Sequence, residues 1–160
     1  MRRHRRSAAR IDKRARAGIL VQSLAFLLLW ASDFWNHPPA LWRVLLASLF
    51  FAVALLLVWT ALRALGPQWR LDAGLNADHQ LVRSGPYRIV RHPIYASMLC
   101  MLLGNGLLVT PLPLLAVSLA IYVIGTEIRV RVEDALLASR FGADFRAYQD
   151  NVAAYIPLVR

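Results

Sequence analysis

The residues best suited to chemistry lie between His79 and Tyr95, in the run H-Q-L-V-R-S-G-P-Y-R-I-V-R-H-P-I-Y. Gly85-Pro86 and the His92-Pro93 step should each interrupt any regular helix. Tyr87, Arg88, Arg91 and His92 sit between these breaks, and Tyr95 follows at once. A helix opening at Pro93 offers free N–H donors and a partial positive charge beside His92, a setting that suits a carboxylate ligand. Tyr87 and Tyr95 can stack on a base or hydrogen-bond a ribose, although tyrosines at a membrane interface also occur without such a role. His92 has the plainer alternative of a hydrogen-bonded structural residue. With long apolar blocks on both sides, the run reads as a loop that holds a small polar ligand at a membrane surface.

A second charged cluster lies at Glu127–Asp134. Arg129 and Glu133 are four residues apart and share a helix face, while Asp134 is rotated by about 100° from Glu133. They are either a surface ion pair worth about 0.3–0.5 kcal/mol or two groups that hold opposite charges on two bound molecules. Other chemistries find little footing. His4, His37, His79 and His92 are not spaced as an i, i+4 metal pair, and there is no G-x-G-x-x-G, P-loop or G-x-S-x-G. Asp72 and Asp78 read as solvated loop residues. Cys100 is the single cysteine, so neither an intrachain disulfide nor a cysteine metal site is expected.

The elements that must position these residues are membrane-length. Of 160 residues, 58% are hydrophobic and only 18% charged, too apolar for an ordinary soluble domain. Residues 1–16 carry eight basic side chains and one acid. Followed directly by an apolar block, this arm reads as a positive-inside signal touching membrane lipid headgroups rather than as a grip on nucleic acid. Residues 17–35 form a first block about 28 Å long as a helix, read as retained rather than as a signal peptide. A short turn at Asn36-His37-Pro38-Pro39 leads to 44–62, which is uncharged throughout. Gly66-Pro67 ends that helix. The segment from Arg63 to Arg91 then holds five arginines and two aspartates, as a cytoplasmic loop should.

Residues 94–126 are again uncharged but too long for one span. Breaks at Gly104-Asn105-Gly106 and at Thr110-Pro111-Leu112-Pro113 predict a helical hairpin, with Thr110 as cap and Pro111 at the first position of the returning helix. That helix should run past Thr126 into the charged cluster. A tail with Leu136, Leu137, Phe141, Phe145 and Tyr148 at amphipathic spacing, broken at Phe141-Gly142, should cover the loop. The expected fold is all-α: an integral membrane bundle of about four transmembrane helices, with a cytoplasmic ligand-binding loop and a C-terminal amphipathic helix. A basic arm (1–16) precedes a single domain (17–160), and both termini are cytoplasmic.

His79-Gln-Leu-Val82, Ser84-Gly-Pro-Tyr87, Arg91-His-Pro-Ile-Tyr95, Arg129-x-x-x-Glu133-Asp134 and Phe141-Gly142-x-x-Phe145-x-x-Tyr148 occur in that order. This pattern resembles the isoprenylcysteine carboxyl methyltransferases, and phospholipid N-methyltransferases share much of it. Gly66-Pro-Gln-Trp69 looks like the family's segment after the second helix, so the match covers roughly 63–158. The resemblance implies an integral membrane enzyme using S-adenosyl-L-methionine without a Rossmann domain, in a bacterial inner membrane. It implies that His79, Gln80, Leu81 and Val82 line the cofactor, that Tyr87, His92, Pro93, Ile94 and Tyr95 complete the pocket, and that Glu133 pairs with the cofactor's ammonium. Arg129 would then face a lipophilic or lipid methyl acceptor, with no metal involved. The chain departs from the family at Asp134, where a second glutamate is common, and at Ser97, where glycine is common. A sterol-type reductase binding NADPH and a non-enzymatic membrane interaction protein are the other readings.

Overall fold

The computed structural model describes residues 13–66 and 80–157. The arm at 1–12, the Pro67–Trp69 segment, Asp72, Asp78 and His79 therefore lie outside the described residues. Five α-helices carry the described chain, with no β-strand among those residues: α1 (Lys13–Leu28), α2 (Leu41–Leu65), α3 (Pro93–Val109), α4 (Leu112–Phe141) and α5 (Ala143–Asn151). Short 3₁₀ turns at Asp33–Asn36 and Gly85–Arg88 link them. Helices α2 and α4 are long and apolar enough to cross a membrane, and α3 is a shorter apolar helix.

The packing inverts the pattern of a water-soluble core. Along α2 the buried positions are Arg43, Ala47, Ala54 and Ala61. Leu45, Leu49, Leu55, Leu56 and Trp59 of the same helix face outward. Phe50, Phe51 and Leu57 pack against neighbouring helices, but most of the other large side chains of α2 have no such partner among the described residues. Small residues inside and large apolar ones outside suit lipid, where close van der Waals approach replaces the hydrophobic drive. The same logic holds on α1, where Ala15, Gly18, Gln22 and Ala25 make a buried stripe that Leu29 continues just past its end, at alternating three- and four-residue spacing.

Helix α1 packs along α4, and α2 along α3. A core of Ala25, Leu29, Ala47, Leu102, Leu107, Leu115 and Tyr122 joins the four. A second cluster of Val90, Tyr95, Ala96, Val130, Ala154 and Tyr155 lies nearer the polar end.

Several sequence expectations need correction. Gly104-Asn105-Gly106 does not break the hairpin; all three lie inside α3. A Cβ on Gly104 would meet Phe51 Cε1 at 2.7 Å, so this glycine serves close approach of α2 rather than a turn. The break comes only at Thr110-Pro111. Thr110 is not the cap of α4, whose N-cap is Pro111 with no side-chain cap bond. Instead, Thr110 Oγ1 donates to Leu29 O at 2.6 Å and Thr110 O accepts from Arg43 Nη2 at 2.7 Å, which satisfies buried carbonyls at the ends of α1 and α3. Helix α1 stops at Leu28, short of the expected Trp35. Successive i→i−3 bonds from Leu29, Trp30 and Ala31 tighten its end. The later expectations hold: α4 runs unbroken from the apolar region to Phe141, and Gly142 ends it at φ +55°, a conformation that favours glycine.

Candidate functional site

Polar residues converge where α3 begins and α4 leaves its apolar stretch. Pro93 opens α3 and His92 is its N-cap. The chain before it is clamped by the tail after α5: Val90 pairs with Ala153, Arg91 N donates to Ala153 O and His92 N to Ala154 O, each at 2.8 Å. The His92 amide is thus given to the tail, not left for a ligand. Tyr148 on α5 adds a bond from its hydroxyl to Tyr87 O at 2.5 Å. Arg83 Nη2 reaches Asp144 O at 2.8 Å and its guanidinium lies 5.6 Å from the Tyr148 ring.

His92, 7% exposed, stands between two carboxylates. Its Nε2 is 2.8 Å from Asp134 Oδ1 and its Nδ1 is 3.4 Å from Glu133 Oε2. Burial alone would lower its pKa, but hydrogen bonds and charge from Asp134 and Glu133 outweigh that and push it up to about 9. Both ring nitrogens therefore donate, and the imidazolium is the form at neutral pH. Asp134 also accepts from Arg91 Nη2 at 3.1 Å and Gln149 Nε2 at 3.2 Å. Arg91 Nη1 in turn donates to Gln149 O at 3.1 Å and to Val152 O. Asp134 is thus the post to which the loop, α4 and the tail are tied. Outside the apolar helices, burial and neighbouring charge raise the Tyr87 hydroxyl well above its usual range, and burial pushes Tyr148 up to about 12.

Glu133 and Arg129 sit one turn apart on α4 with Nη2–Oε1 3.6 Å. Tyr95 OH donates to Glu133 Oε1, the Tyr95 and His92 rings stack at 5.6 Å, and the Arg129 guanidinium lies 4.9 Å from the Tyr95 ring. Arg129 Nη1 also donates to Gln22 Oε1 at 3.3 Å, and its buried Nε has no hydrogen-bond partner among the described residues. By contrast, the Arg131 side chain is 72% exposed and pairs with Glu127 at 3.5 Å.

Of the expected residues, Tyr87, His92, Pro93, Tyr95, Arg129 and Glu133 gather at this end. Ile94 is half-buried and its carbonyl accepts from Ser97 Oγ at 2.7 Å. Gln80 is exposed, and Leu81 and Val82 are half-buried, on the stretch that Arg83 ties to α5. Three contributors escaped the sequence reading. Asp134 and Arg91 were visible as motif residues but not as the buried ion pair, and Gln22 carried no signal beyond being a polar residue in an apolar block.

The family model of isoprenylcysteine carboxyl methyltransferases matches residues 45–139. The chain belongs to this family. Its members are membrane methyltransferases, and the two long apolar helices agree with that setting. The chain is 30% identical over 140 residues to the cobalt-zinc-cadmium resistance protein CzcN of Cupriavidus metallidurans, covering 76% of this chain and 64% of that protein. It is 35% identical over 85 residues to the protein-S-isoprenylcysteine O-methyltransferase of Schizosaccharomyces pombe, covering 52% and 36%. The Saccharomyces cerevisiae enzyme of the same name is 32% identical over 85 residues, covering 52% and 35%. The isoprenylcysteine carboxyl methyltransferase match thus spans about a third of each yeast enzyme.

Proposed function

We propose that this chain is an integral membrane methyltransferase that uses S-adenosyl-L-methionine to methylate the carboxylate of a lipophilic acceptor. The observation that carries the reading is Arg129, a half-buried arginine whose Nε has no hydrogen-bond partner among the described residues and whose two polar contacts are long, beside Glu133 at the polar end of an apolar bundle.

The donor set fits such a cofactor. Glu133 keeps about a quarter of its side chain exposed and suits an ammonium group. His79, Gln80, Leu81 and Val82, with Tyr87, His92, Pro93, Ile94 and Tyr95, would supply the remaining walls. When bound, the cofactor supplies a methyl group on a positively charged sulfur, which an ionised carboxylate takes by in-line displacement with no proton to move. The chain's own work is then placement. Arg129 has donors to spare for a bidentate grip on the acceptor carboxylate. Its position on the α1 side of α4 separates that grip from the His92 side of Glu133, and the apolar helices exclude water. An amine acceptor, as in phospholipid N-methylation, would require a base. His92, held protonated between two acids, does not provide one.

We place the site on the cytoplasmic face of a bacterial inner membrane, with four helices in the bilayer and the basic arm on the same side. The test is a screen of prenylated cysteines, fatty acids and phospholipids with radiolabelled methyl donor. Carboxylate acceptors should yield base-labile methyl esters. Base-stable label on a phospholipid amine would instead establish N-methylation, and NADPH binding without S-adenosylhomocysteine binding would establish the reductase.

A further inference from the structure

Gln22 is 2% exposed, a primary amide deep in the packing face of an apolar helix. Such a group has to be satisfied or it costs free energy. Both ends are used: Nε2 donates to Thr126 Oγ1 at 2.8 Å, and Oε1 accepts from Arg129 Nη1 at 3.3 Å. The amide orientation is chemically forced, because arginine has no acceptor to offer and only the carbonyl oxygen can face it. Two glycines make this approach possible. A Cβ on Gly125 would lie 2.8 Å from Gln22 N and 2.9 Å from Gly18 O, and one on Gly18 would lie 2.5 Å from Arg129 Cγ.

We propose that Gln22 is a positioning residue that holds the Arg129 guanidinium toward the acceptor carboxylate. The proposal rests on the role given to Arg129 above. Arg129 has a competing partner one turn away in Glu133, 3.6 Å off. If the arginine closed fully on that acid, each would quench the charge the other must present to a ligand. The amide draws Arg129 toward α1, and Thr126 holds the amide. Because Gln22 is neutral, it orients the guanidinium without cancelling its charge. A glutamate at the same place would accept the same bond but neutralise the arginine.

The test uses the full chain in detergent micelles with N-acetyl-S-farnesylcysteine as acceptor. Gln22→Met keeps the volume and loses the polar contact. It should raise the KM for this acceptor about tenfold, the effect of one lost hydrogen bond to a charged group. The kcat, the S-adenosylhomocysteine affinity and the melting temperature should stay within error of the parent. Gln22→Glu, although it keeps an acceptor oxygen, should raise KM at least as far. A parental KM in Gln22→Met overturns the proposal. So does a fall of cofactor affinity and melting temperature in step with the KM change, which would make Gln22 a packing residue only. Failure of the parent chain to bind S-adenosylhomocysteine would overturn the proposed function, and this role with it. Cofactor binding without esterification of the farnesylcysteine would overturn the carboxylate reading and the Gln22 role together.

Discussion

Replacing Asp134 by asparagine tests how the polar end is held together. The amide keeps the volume but removes the charge that faces Arg91 at 3.1 Å and His92 at 2.8 Å. Both cations are buried, and His92 keeps Glu133 at 3.4 Å while Arg91 loses the acid it pairs with. Removing one member of a buried pair costs about 3 kcal/mol or more, which for a chain of this size lowers the melting temperature by roughly 10 °C. The pH dependence should change as well. His92 is raised from about 6.5 to about 9 in the folded chain. A raised cation contributes stability that is fully present below the unfolded value and is lost as pH rises through 9. Over that interval the loss is about 3 kcal/mol. Thermal melts of the detergent-solubilised parent from pH 6 to 10 should therefore fall steadily above neutrality. Asp134→Asn should start lower and show a shallower alkaline decline that begins at lower pH. Melting within 2 °C of the parent, with the same alkaline profile, would refute the claim that Asp134 ties loop, helix and tail together.

Arg129→Ala should leave S-adenosylhomocysteine binding within about threefold while turnover falls at least about 100-fold, the scale of a lost orienting group; binding and initial-rate assays separate the two. Gly125→Ala sets a Cβ against the backbone of Gln22 and Gly18, so α1 and α4 must part at a cost of about 1–3 kcal/mol, read as a lower melting temperature. A reporter fused after Arg160 should register as cytoplasmic in a topology assay, and a periplasmic signal would exclude the four-span arrangement.

Much of this architecture is written locally. Pro93 stands at the first position of α3, where proline is favoured, and Gly142 supplies the positive φ that ends α4. Arg129 and Glu133 share a face by periodicity alone. What the sequence could not convey depends on partners distant in the chain. Gly104 reads as a breaker until Phe51 of α2 is seen against it. Thr110 reads as a cap until Leu29 O offers a better acceptor. Asp134, turned away from Glu133, gains meaning only when the loop and the tail meet it. Gln22 answers to Thr126, 104 positions away, and no local pattern encodes that register.

The central claim is that the cluster around Glu133 and His92 receives an S-adenosyl cofactor. The direct measurement is calorimetric titration of S-adenosylhomocysteine into the detergent-solubilised chain and into its Glu133→Ala form. Saturable binding to the parent, weakened about tenfold or more in the variant as expected for a lost charged contact, is the result this account predicts. Equal affinity in the two proteins, or no binding to the parent, would contradict it.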